Sequence, residues 1–315
     1  MTYSIQTITS ADFAPVVELQ KAYAQEHPGV PVFPGEMYVS PGFHEGADVF
    51  CAFDEQHRLV AYAPVFVQII DLGPEQLPHI AWTEVQALPG LADARAVKDA
   101  LLDCVQRRAR SIAAGFPGRG LRLTFEYRQS EAQAIDYVLS RGFQCIESVF
   151  SMTRDLTLPI PAGQAPAGVT IRRWKMESEP EQVAYLEARN ECFPEAPLRL
   201  ADWQYYMQSP QWQSGTMIAA FEDGKVVGCV NVYWTPGDTS GATEDIFVRA
   251  PWRGRGIARA MIAEGLAYLK EHGLVDAHLG VRALNDNALG LYRQMGFAME
   301  MEIRFYGKNL EPGGV

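Results

Sequence analysis

The order of strand-like and helix-like segments in the first half of this chain is repeated in its second half. Two pairs of similar segments mark the repeat: CAFDEQHRLVAYAPVF (51–66) corresponds to AAFEDGKVVGCVNVY (219–233), and YVLSRGFQCIESVFSM (137–152) to LYRQMGFAMEMEIRFY (291–306). The stretch between the halves, TLPIPAGQAPAG (157–168), is rich in Pro, Gly and Ala and is typical of a linker. A repeat of this length indicates two copies of one folding unit.

Chain length agrees with a division into two domains, because 315 residues exceed the roughly 100–200 residues of a typical domain. We predict a first domain at 1–156, a linker at 157–168 and a second domain at 169–315. Short apolar runs with hairpin turns are interspersed with helical periodicities in both halves. The expected fold class is therefore α+β, with each domain a mixed, mostly antiparallel sheet flanked by helices.

The acidic balance of the chain limits its partners. Lys and Arg number 27 against 38 Asp and Glu, which gives a formal net charge of -11 and opposes binding of nucleic acid. The longest apolar stretch, LVAYAPVFVQII (59–70), is shorter than the ~20 residues that span a bilayer. The first residues, MTYSIQTITSADF, lack the basic start and apolar core of a secretory signal. These features predict a cytoplasmic protein without a membrane partner.

Cysteine and histidine are too scattered to indicate a disulfide framework or a metal centre. The five cysteines, Cys51, Cys104, Cys145, Cys192 and Cys229, include no CxxC pair. None lies in the sequence context of an activated thiol, which requires a nearby base and a helix N-terminus. The six histidines show no ligand spacing. We therefore predict reduced cysteines and no metal.

The segment VRAPWRGRGIARAM (248–261) concentrates positive charge and bare backbone between a predicted strand and a predicted helix. The first N–H groups of a helix lack intrahelical acceptors, and the aligned peptide dipoles add about half a positive charge there. Gly254 and Gly256 allow an anion to approach the main chain, while Arg253 and Arg255 add cationic donors. The junction therefore predicts a diphosphate site. The alternative is that these arginines only cap the helix in solvent.

Two motifs in the second half resemble those of the GNAT superfamily, the acyl-CoA-dependent N-acyltransferases. Their phosphate loop, (R/Q)-x-x-G-x-(G/A), is matched by Arg253, Gly256 and Ala258. Their later segment, N-x-x-A-x-x-L-Y-x-x-x-G-F, is matched by Asn285, Ala288, Leu291, Tyr292, Gly296 and Phe297. The tandem arrangement is similar to that of two-GNAT proteins of the mycothiol synthase type, in which one half keeps the cofactor site.

The first half departs from these motifs. The place of the phosphate loop is taken by LPGLADARA (88–96), which has no paired glycines. Alignment of the two Gly-Phe pairs places Val138 at the position of Tyr292 and Glu131 at that of Asn285. We predict that this degenerate domain is structural or shapes the substrate site. Binding of an acyl-CoA or another ligand by it stays an alternative.

The resemblance implies that acetyl-CoA is the cosubstrate, with a longer acyl chain left open. The residues implied to contact it are Ile246, Phe247, Val248, Arg253, Gly254, Arg255, Gly256, Ile257, Ala258, Asn285 and Asn287. Main-chain groups of Ile246 and Val248 would bind the pantetheine arm, and a backbone N–H there would polarise the thioester carbonyl. The diphosphate would lie on residues 253–258, and Asn285 would contact the cofactor from the other side of the cleft.

The implied base is a carboxylate, because an amine attacks only after losing its extra proton. Glu244 is the candidate, since strand alternation points the adjacent Asp245 to the opposite face. Similar tandem proteins tend to place their acid two residues earlier, where this chain has Ala242. Glu244 therefore shares that face only if no bulge intervenes. The alternatives are proton transfer through water or by Asp245, and a Glu244 that is merely solvated.

Tyr292 would protonate the departing thiolate, because a phenol keeps its proton at neutral pH; the alternative is a core aromatic. The function expected is an N-acetyltransferase that transfers an acetyl group from acetyl-CoA to a primary amine of a small molecule or peptide by direct attack. A non-catalytic acyl-CoA-binding sensor or regulatory protein is the main alternative, and a scaffold is the third. Monomer and homodimer are both compatible with the sequence.

Overall fold

A computed structural model describes residues 3–311, so residues 1–2 and 312–315, at the outer ends of the predicted domains, lie outside the described residues. The first of two compact units contains the described residues up to Asp71, Glu75–Ser148 and those from Ile303 on. The second contains Leu72–Pro74 and Val149–Glu302. Strands at Gln144–Asp155 and Ala298–Leu310 are thus divided between the units. The boundaries assigned to the sequence repeat stay a prediction.

The first unit is a mixed sheet flanked by helices. Its helices are α1 (Phe13–Glu26), α2 (Ala94–Ala113) and α3 (Ala132–Ser140), and its strands are β1 (Ser4–Thr7), β2 (Val49–Phe53), β3 (Leu59–Gln68), β4 (His79–Thr83), β5 (Gln86–Ala87), β6 (Leu121–Arg128) and the first residues of β7 (Gln144–Asp155). The sheet order is β1-β2-β3-β4-β6, and residues 303–310 pair with β6. The β4–β6 pair is parallel, whereas the β1–β2, β2–β3 and β3–β4 pairs are antiparallel.

The second unit repeats this strand order. Its helices are α4 (Glu179–Cys192), α5 (Leu200–Tyr206), α6 (Pro210–Ser214), α7 (Ile257–Glu271) and α8 (Asp286–Gln294), and its strands are β8 (Val169–Trp174), β9 (Thr216–Glu222), β10 (Lys225–Tyr233), β11 (Ser240–Val248), β12 (Asp276–Arg282) and the first residues of β13 (Ala298–Leu310). The order is β8-β9-β10-β11-β12, and residues 149–155 pair with β12. The β11–β12 pair is parallel. The predicted α+β class is confirmed.

Helix α7 packs tightly on this second sheet. Its apolar stripe includes Met261, Leu266 and Leu269, all fully buried, and each such side chain stabilises the fold by roughly 1.5–3 kcal/mol. Gly265 lets the helix approach β10, because a Cβ there would lie 2.8 Å from Cγ1 of Val232. These contacts hold the N-terminus of α7 in place beside the end of β11.

Sequence periodicity predicted most helices to within two residues. Apolar periodicity in the sequence predicts a helix at 256–272, which is observed as α7, and one near 94–114, which is observed as α2. The single strand predicted for HIAWTEVQAL (79–88) is wrong, because it divides into β4 and β5 on either side of Glu84 and Val85. Among the described residues, no helix is both long and apolar enough to cross a membrane.

Candidate active site

A cavity of about 890 Å³ lies in the second unit, between the end of β11, the start of α7 and the start of α8. Of the eleven predicted cofactor-binding residues, ten line it: Ile246, Phe247, Val248, Arg253, Gly254, Gly256, Ile257, Ala258, Asn285 and Asn287. Tyr292 lines it as well. Glu244 and Arg255 are not among its lining residues. The two sequence motifs, about 30 residues apart in the chain, thus meet around one concave surface.

The start of α7 is open towards this cavity. Gly254 and Gly256 have φ values of 76° and 82°, which is the left-handed region that favours glycine. A Cβ atom built at either position would have no heavy atom within 4 Å, so both glycines border open space. The first amides of α7 have no acceptor within the helix, and the helix dipole makes this end positive. The geometry and the charge of this loop, called the cradle below, therefore suit an anion.

The two loop arginines have different surroundings. Arg253 lines the cavity, and its Nε donates to the carbonyl of Val248 at 2.8 Å. Arg255 instead pairs with Glu222, with Nη2 2.8 Å from Oε1, and this hydrogen bond holds the pKa of Glu222 below its ordinary value. Trp252 Nε1 donates to the other oxygen of Glu222 at 2.5 Å. Glu222 therefore holds two residues of the loop, Trp252 and Arg255, through its two carboxylate oxygens. A direct contact of Arg255 with phosphate stays a prediction.

A bulge interrupts β11 beside the cavity. On β10, Cys229 and Asn231 are two residues apart, whereas their partners on β11, Phe247 and Glu244, are three apart. The extra residue is Asp245 or its neighbour, and Asp245 has φ 46°. A bulge of this kind bends a strand and frees main-chain groups from the ladder.

Main-chain groups at the end of β11 point away from β10. The amide of Arg249 donates to the carbonyl of Val227 on β10, so alternation turns Val248 and Ile246 to the other edge. The parallel register with β12 extends from Ser240↔Asp276 only to Ala242↔His278. The amides of Ile246 and Val248 are therefore directed into the gap that opens between the two strands, and their contact with a pantetheine arm stays a prediction. The carbonyl of Val248 is already occupied by Arg253.

Glu244 lies just before the bulge. The register Tyr233↔Ala242, Val232↔Thr243 and Asn231↔Glu244 is continuous, so Glu244 shares the face of Ala242. Its side chain is open to solvent, yet surrounding protein atoms partly desolvate the carboxylate and raise its pKa. The Asp245 charge raises it further, whereas a hydrogen bond from Tyr233 opposes the rise. A raised pKa is the direction expected for a general base that operates near neutral pH.

Asp245 is engaged elsewhere. Its carboxylate pairs with Arg189 of α4 at 3.0 Å and accepts a hydrogen bond from the Tyr185 hydroxyl at 3.2 Å. Asp245 is therefore held in an ion pair with a residue of α4.

Tyr292 is buried in the wall of the cavity, with only 6% of its surface exposed. Burial raises its pKa to about 12, so the phenol keeps its proton across the neutral range. Its ring packs edge-on against Phe297 at a centroid distance of 6.1 Å. The Gly-Phe part of the motif thus holds the ring in place.

Asn285 caps α8. Its Oδ1 accepts from the amide of Ala288 at 3.2 Å, which satisfies one free amide of the helix start. The side-chain NH₂ is left as the group that can donate to a ligand in the cavity. The Asn of the motif therefore has a local structural role, and its contact with the cofactor stays a prediction.

Nine lining residues were not among the predicted site residues: Cys192, Phe193, Trp252, Arg259, Asp286, Ala288, Gly290, Leu291 and Gln294. Cys192 and Phe193 come from the end of α4, more than 50 residues before the phosphate loop, and no local pattern marks them. Arg259 also lines the cavity and donates to the side chain of Gln294. The sequence signal that could have identified Arg259 was its position in the first turn of the helix, three residues after Gly256. Arg259 adds a second cation to the cavity wall beside Arg253.

Comparison with known proteins identifies the class. Residues 182–297 match the family model described as acetyltransferase (GNAT) family. A mycothiol acetyltransferase of Thermobispora bispora is 29% identical over 168 residues, which is 50% of this chain. The chain spans little more than half (55%) of that relative's length.

Two solved structures show the fold. A GCN5-related N-acetyltransferase from Sphaerobacter thermophilus has a TM-score of 0.79 at 22% identity, over 99% of this chain and 96% of that one. A tandem GNAT protein from the clavulanic acid biosynthesis pathway has a TM-score of 0.73 at 16% identity, over 99% and 100% of the two chains. Residues 182–297 are therefore similar to the GNAT family, and the chain shares the fold of a tandem GNAT protein.

Proposed function

We propose that the protein is an N-acetyltransferase that transfers an acetyl group from acetyl-CoA to a primary amine of a small molecule or peptide. The observation that carries the proposal is the cavity formed jointly by the glycine-opened start of α7, the freed edge of β11 and Tyr292. A scaffold has no need for such a cradle. The name of the curated relative supports acetyl as the transferred group.

The cavity residues fit the chemistry of coenzyme A. Its diphosphate would bind the amides at the start of α7 together with Arg253, because a helix N-terminus and a guanidinium both favour an anion. Arg259 would add charge on the same side. The side-chain NH₂ of Asn285 would donate to the pantetheine or diphosphate. The amides of Ile246 and Val248 would bind the pantetheine arm, and one of them would polarise the thioester carbonyl.

Acetyl-CoA supplies the acetyl thioester, and the protein supplies the proton transfers. Glu244 would accept a proton from the acceptor's ammonium group, directly or through water, which frees the lone pair for attack. The amine would form the C–N bond, and Tyr292 would donate its proton to the sulfur as the C–S bond breaks. The second proton that the nitrogen loses in becoming an amide would then restore the Tyr292 phenol through water. The raised pKa of Tyr292 keeps the proton of the phenol available at neutral pH. Direct attack therefore requires no covalent enzyme intermediate.

The acceptor would approach Glu244 from the side of Tyr206 and Tyr233. Asn231 lies opposite Glu244 in the ladder and donates to the Tyr206 hydroxyl at 3.0 Å. Asn231 Oδ1 is buried and has no hydrogen-bond partner among the described residues. A donor group of the acceptor would satisfy it. These polar and aromatic groups support a small amine acceptor. A cytoplasmic location and a monomeric or homodimeric state stay predictions.

Two measurements test the proposal. Calorimetry with coenzyme A should show saturable binding, and a thiol-release assay with acetyl-CoA should show turnover with at least one member of a panel of primary amines. Absence of saturable binding at millimolar coenzyme A would contradict the proposal and favour a scaffold. Binding without release of thiol for any amine would favour the acyl-CoA-binding sensor.

A further inference from the structure

A second cavity, of about 350 Å³, lies within the first unit. Its walls are largely aromatic: Tyr23, Tyr38, Phe43, Phe66, Trp82 and Tyr127 all line it. The volume is within the range of small-molecule sites, and the faces of aromatic rings carry negative charge that attracts cations. None of the residues of the coenzyme A cavity takes part, so this is a separate site.

Carboxylates stand among these rings. Glu84 accepts hydrogen bonds from the hydroxyl groups of Tyr62 at 2.5 Å and Tyr38 at 3.4 Å, and from Gln86 Nε2 at 2.6 Å. All three of these donors are neutral. Burial raises the pKa of Glu84, and the charge of Glu131 raises it further. A carboxylate held in this way lacks a countercharge, and a cation in the cavity would supply one.

Glu131 belongs to the same cavity but is better compensated. It accepts from the Tyr23 hydroxyl at 2.9 Å and from the Arg128 amide at 2.7 Å, and a guanidinium nitrogen of Arg128 lies 3.9 Å from its carboxylate. The Arg128 guanidinium also pairs with Glu126 at 3.0 Å. The charged lining residues are therefore Glu84, Glu126 and Glu131 against Arg128, so the wall carries more negative than positive charge.

One polar atom in the wall has no partner. Gln86 is 5% exposed and lines the cavity, yet its Oε1 is buried and has no hydrogen-bond partner among the described residues. A buried acceptor without a donor costs about 1–3 kcal/mol, so a ligand that donates a hydrogen bond there would recover this free energy. The same Gln86 side chain donates to Glu84 through Nε2, so the acceptor without a donor and the carboxylate without a countercharge are directly hydrogen-bonded neighbours.

We propose that this cavity binds an organic ammonium ion with an apolar body about the size of one ring, with its N–H groups directed to Glu84 and Gln86 and its body between the aromatic walls. An acyl-CoA is disfavoured because its phosphates would meet three carboxylates. A neutral apolar ligand would supply neither the countercharge that Glu84 lacks nor the hydrogen-bond donor that Gln86 Oε1 lacks.

The position of Glu84 in the ladder agrees with an amine ligand. The register between Val65↔Thr83 and Tyr62↔Gln86 places Glu84 opposite Pro64. The alignment of the repeated hairpins pairs Pro64 with Asn231, the residue that lies opposite Glu244. Glu84 is thus the counterpart of the proposed base, although its site lacks the phosphate cradle. The proposal rests on the first unit's own residues and does not require the second unit to be catalytic.

The test is calorimetry on the full chain without acetyl-CoA, using 2-phenylethylamine, which is protonated at pH 7, and the neutral isostere 2-phenylethanol. The ammonium ion should bind at least about tenfold more tightly than the alcohol. Glu84→Gln keeps an acceptor for the tyrosine hydroxyls but removes the charge, and it should abolish this preference. Glu264→Gln, which removes a half-buried carboxylate that pairs with Arg173 in the second unit, is the control and should leave the preference for the amine unchanged.

A second variant keeps the test decisive if Glu84→Gln does not fold. Phe66 is 41% exposed, so Phe66→Ala is expected to be tolerated and to weaken binding of the ammonium ion several-fold. The proposal is overturned by equal affinity for amine and alcohol, by no saturable binding at millimolar amine, or by unaltered binding in the folded variants. Binding lost in Glu244→Gln but kept in Glu84→Gln would place the amine in the second unit and overturn it equally. Because no acetyl-CoA is present, failure of acetyl transfer would leave these outcomes unaffected.

Discussion

The two units share a strand order but differ where the fourth strand of each meets the fifth. In the second unit, the parallel register of β11 with β12 ends at Ala242↔His278, and the bulge at Asp245 follows. In the first unit, β4 stays paired with β6 from His79↔Leu121 to Thr83↔Phe125. The register of β3 with β4 continues unchanged into β5, without an inserted residue. With Glu84 aligned to Glu244, the parallel pairing ends within one residue of the same place in both units, so the residue inserted at the bulge is the difference between the two fourth strands.

The helix that follows the fourth strand also begins differently in the two units. Helix α7 begins at Gly256, with φ 82°, and leaves space for an anion. Helix α2 begins after Asp93, with φ -103° and a carboxylate where an anion would lie. A duplicated fold can thus keep its topology while the starts of corresponding helices differ, which agrees with the proposal of a phosphate site in the second unit.

Loss of the proposed base of the second unit should have the largest effect on activity. Glu244→Gln removes the proposed base, and we expect kcat to fall by about 10²–10⁴-fold with little change in coenzyme A affinity. The pKa of Glu244 is raised, so activity should be lost as the pH falls through a midpoint above the ordinary glutamate value, and this acidic limb should disappear in the variant. The Glu264→Gln control should keep the wild-type pH profile. Retention of full turnover by Glu244→Gln would remove the catalytic distinction between the units.

The phosphate cradle should give the next largest effect. Gly256→Ala and Gly273→Ala alter opposite ends of α7 at the same backbone conformation, with φ 82° and 83° and no atom within 4 Å of either new Cβ. Both should lose about 1 kcal/mol of stability from backbone strain, measured by thermal unfolding. Only Gly256→Ala should weaken coenzyme A binding, by about 10–100-fold in calorimetry, because its Cβ enters the anion site. Equal affinities for the two variants would mean that the helix start does not bind the diphosphate.

These contrasts also show what sequence could supply. The hairpin echoes predicted the duplication, and apolar spacing placed α7 to within one residue of its observed start at Ile257. The paired glycines predicted the open, left-handed turn before α7, because left-handed backbone favours residues without a side chain. Local patterns of this kind are visible in sequence because the physical requirement lies in adjacent residues.

Features that depend on distant residues were not predictable. The ion pair of Arg255 with Glu222 joins positions 33 residues apart, so the arginine appeared free to bind phosphate. The contribution of Phe193 to the cavity depends on how α4 packs, and the division of HIAWTEVQAL at Glu84 depends on the partner strand. Apolar periodicity records which face is buried but not which side chains meet across a cleft.

Loss of the proposed acid should have a smaller effect. Tyr292→Phe keeps the buried ring and its packing but removes the proton donor, so we expect kcat to fall about tenfold or more, with the coenzyme A affinity unchanged. Val138 stands at the corresponding position of the first unit, which therefore has no such donor. Tyr268→Phe, in α7 of the same unit, is the matched control. An unchanged kcat for Tyr292→Phe across the pH profile would assign Tyr292 to the core alone.

The smallest effect should come from the two loop arginines, which we expect to differ from each other. The corresponding segment of the first unit, LPGLADARA, lacks the paired glycines beside which these arginines lie. Arg253→Ala removes a guanidinium that lines the cavity, and we expect coenzyme A to bind about tenfold more weakly. Arg255→Ala removes the partner of Glu222, which the Trp252 indole still contacts, so the loss should stay below about threefold. Calorimetry at low and high salt checks both, since screening should reduce the Arg253 effect. If Arg255→Ala proves the more damaging, Arg255 must leave Glu222 to bind the diphosphate, and the cradle is completed only when the ligand arrives.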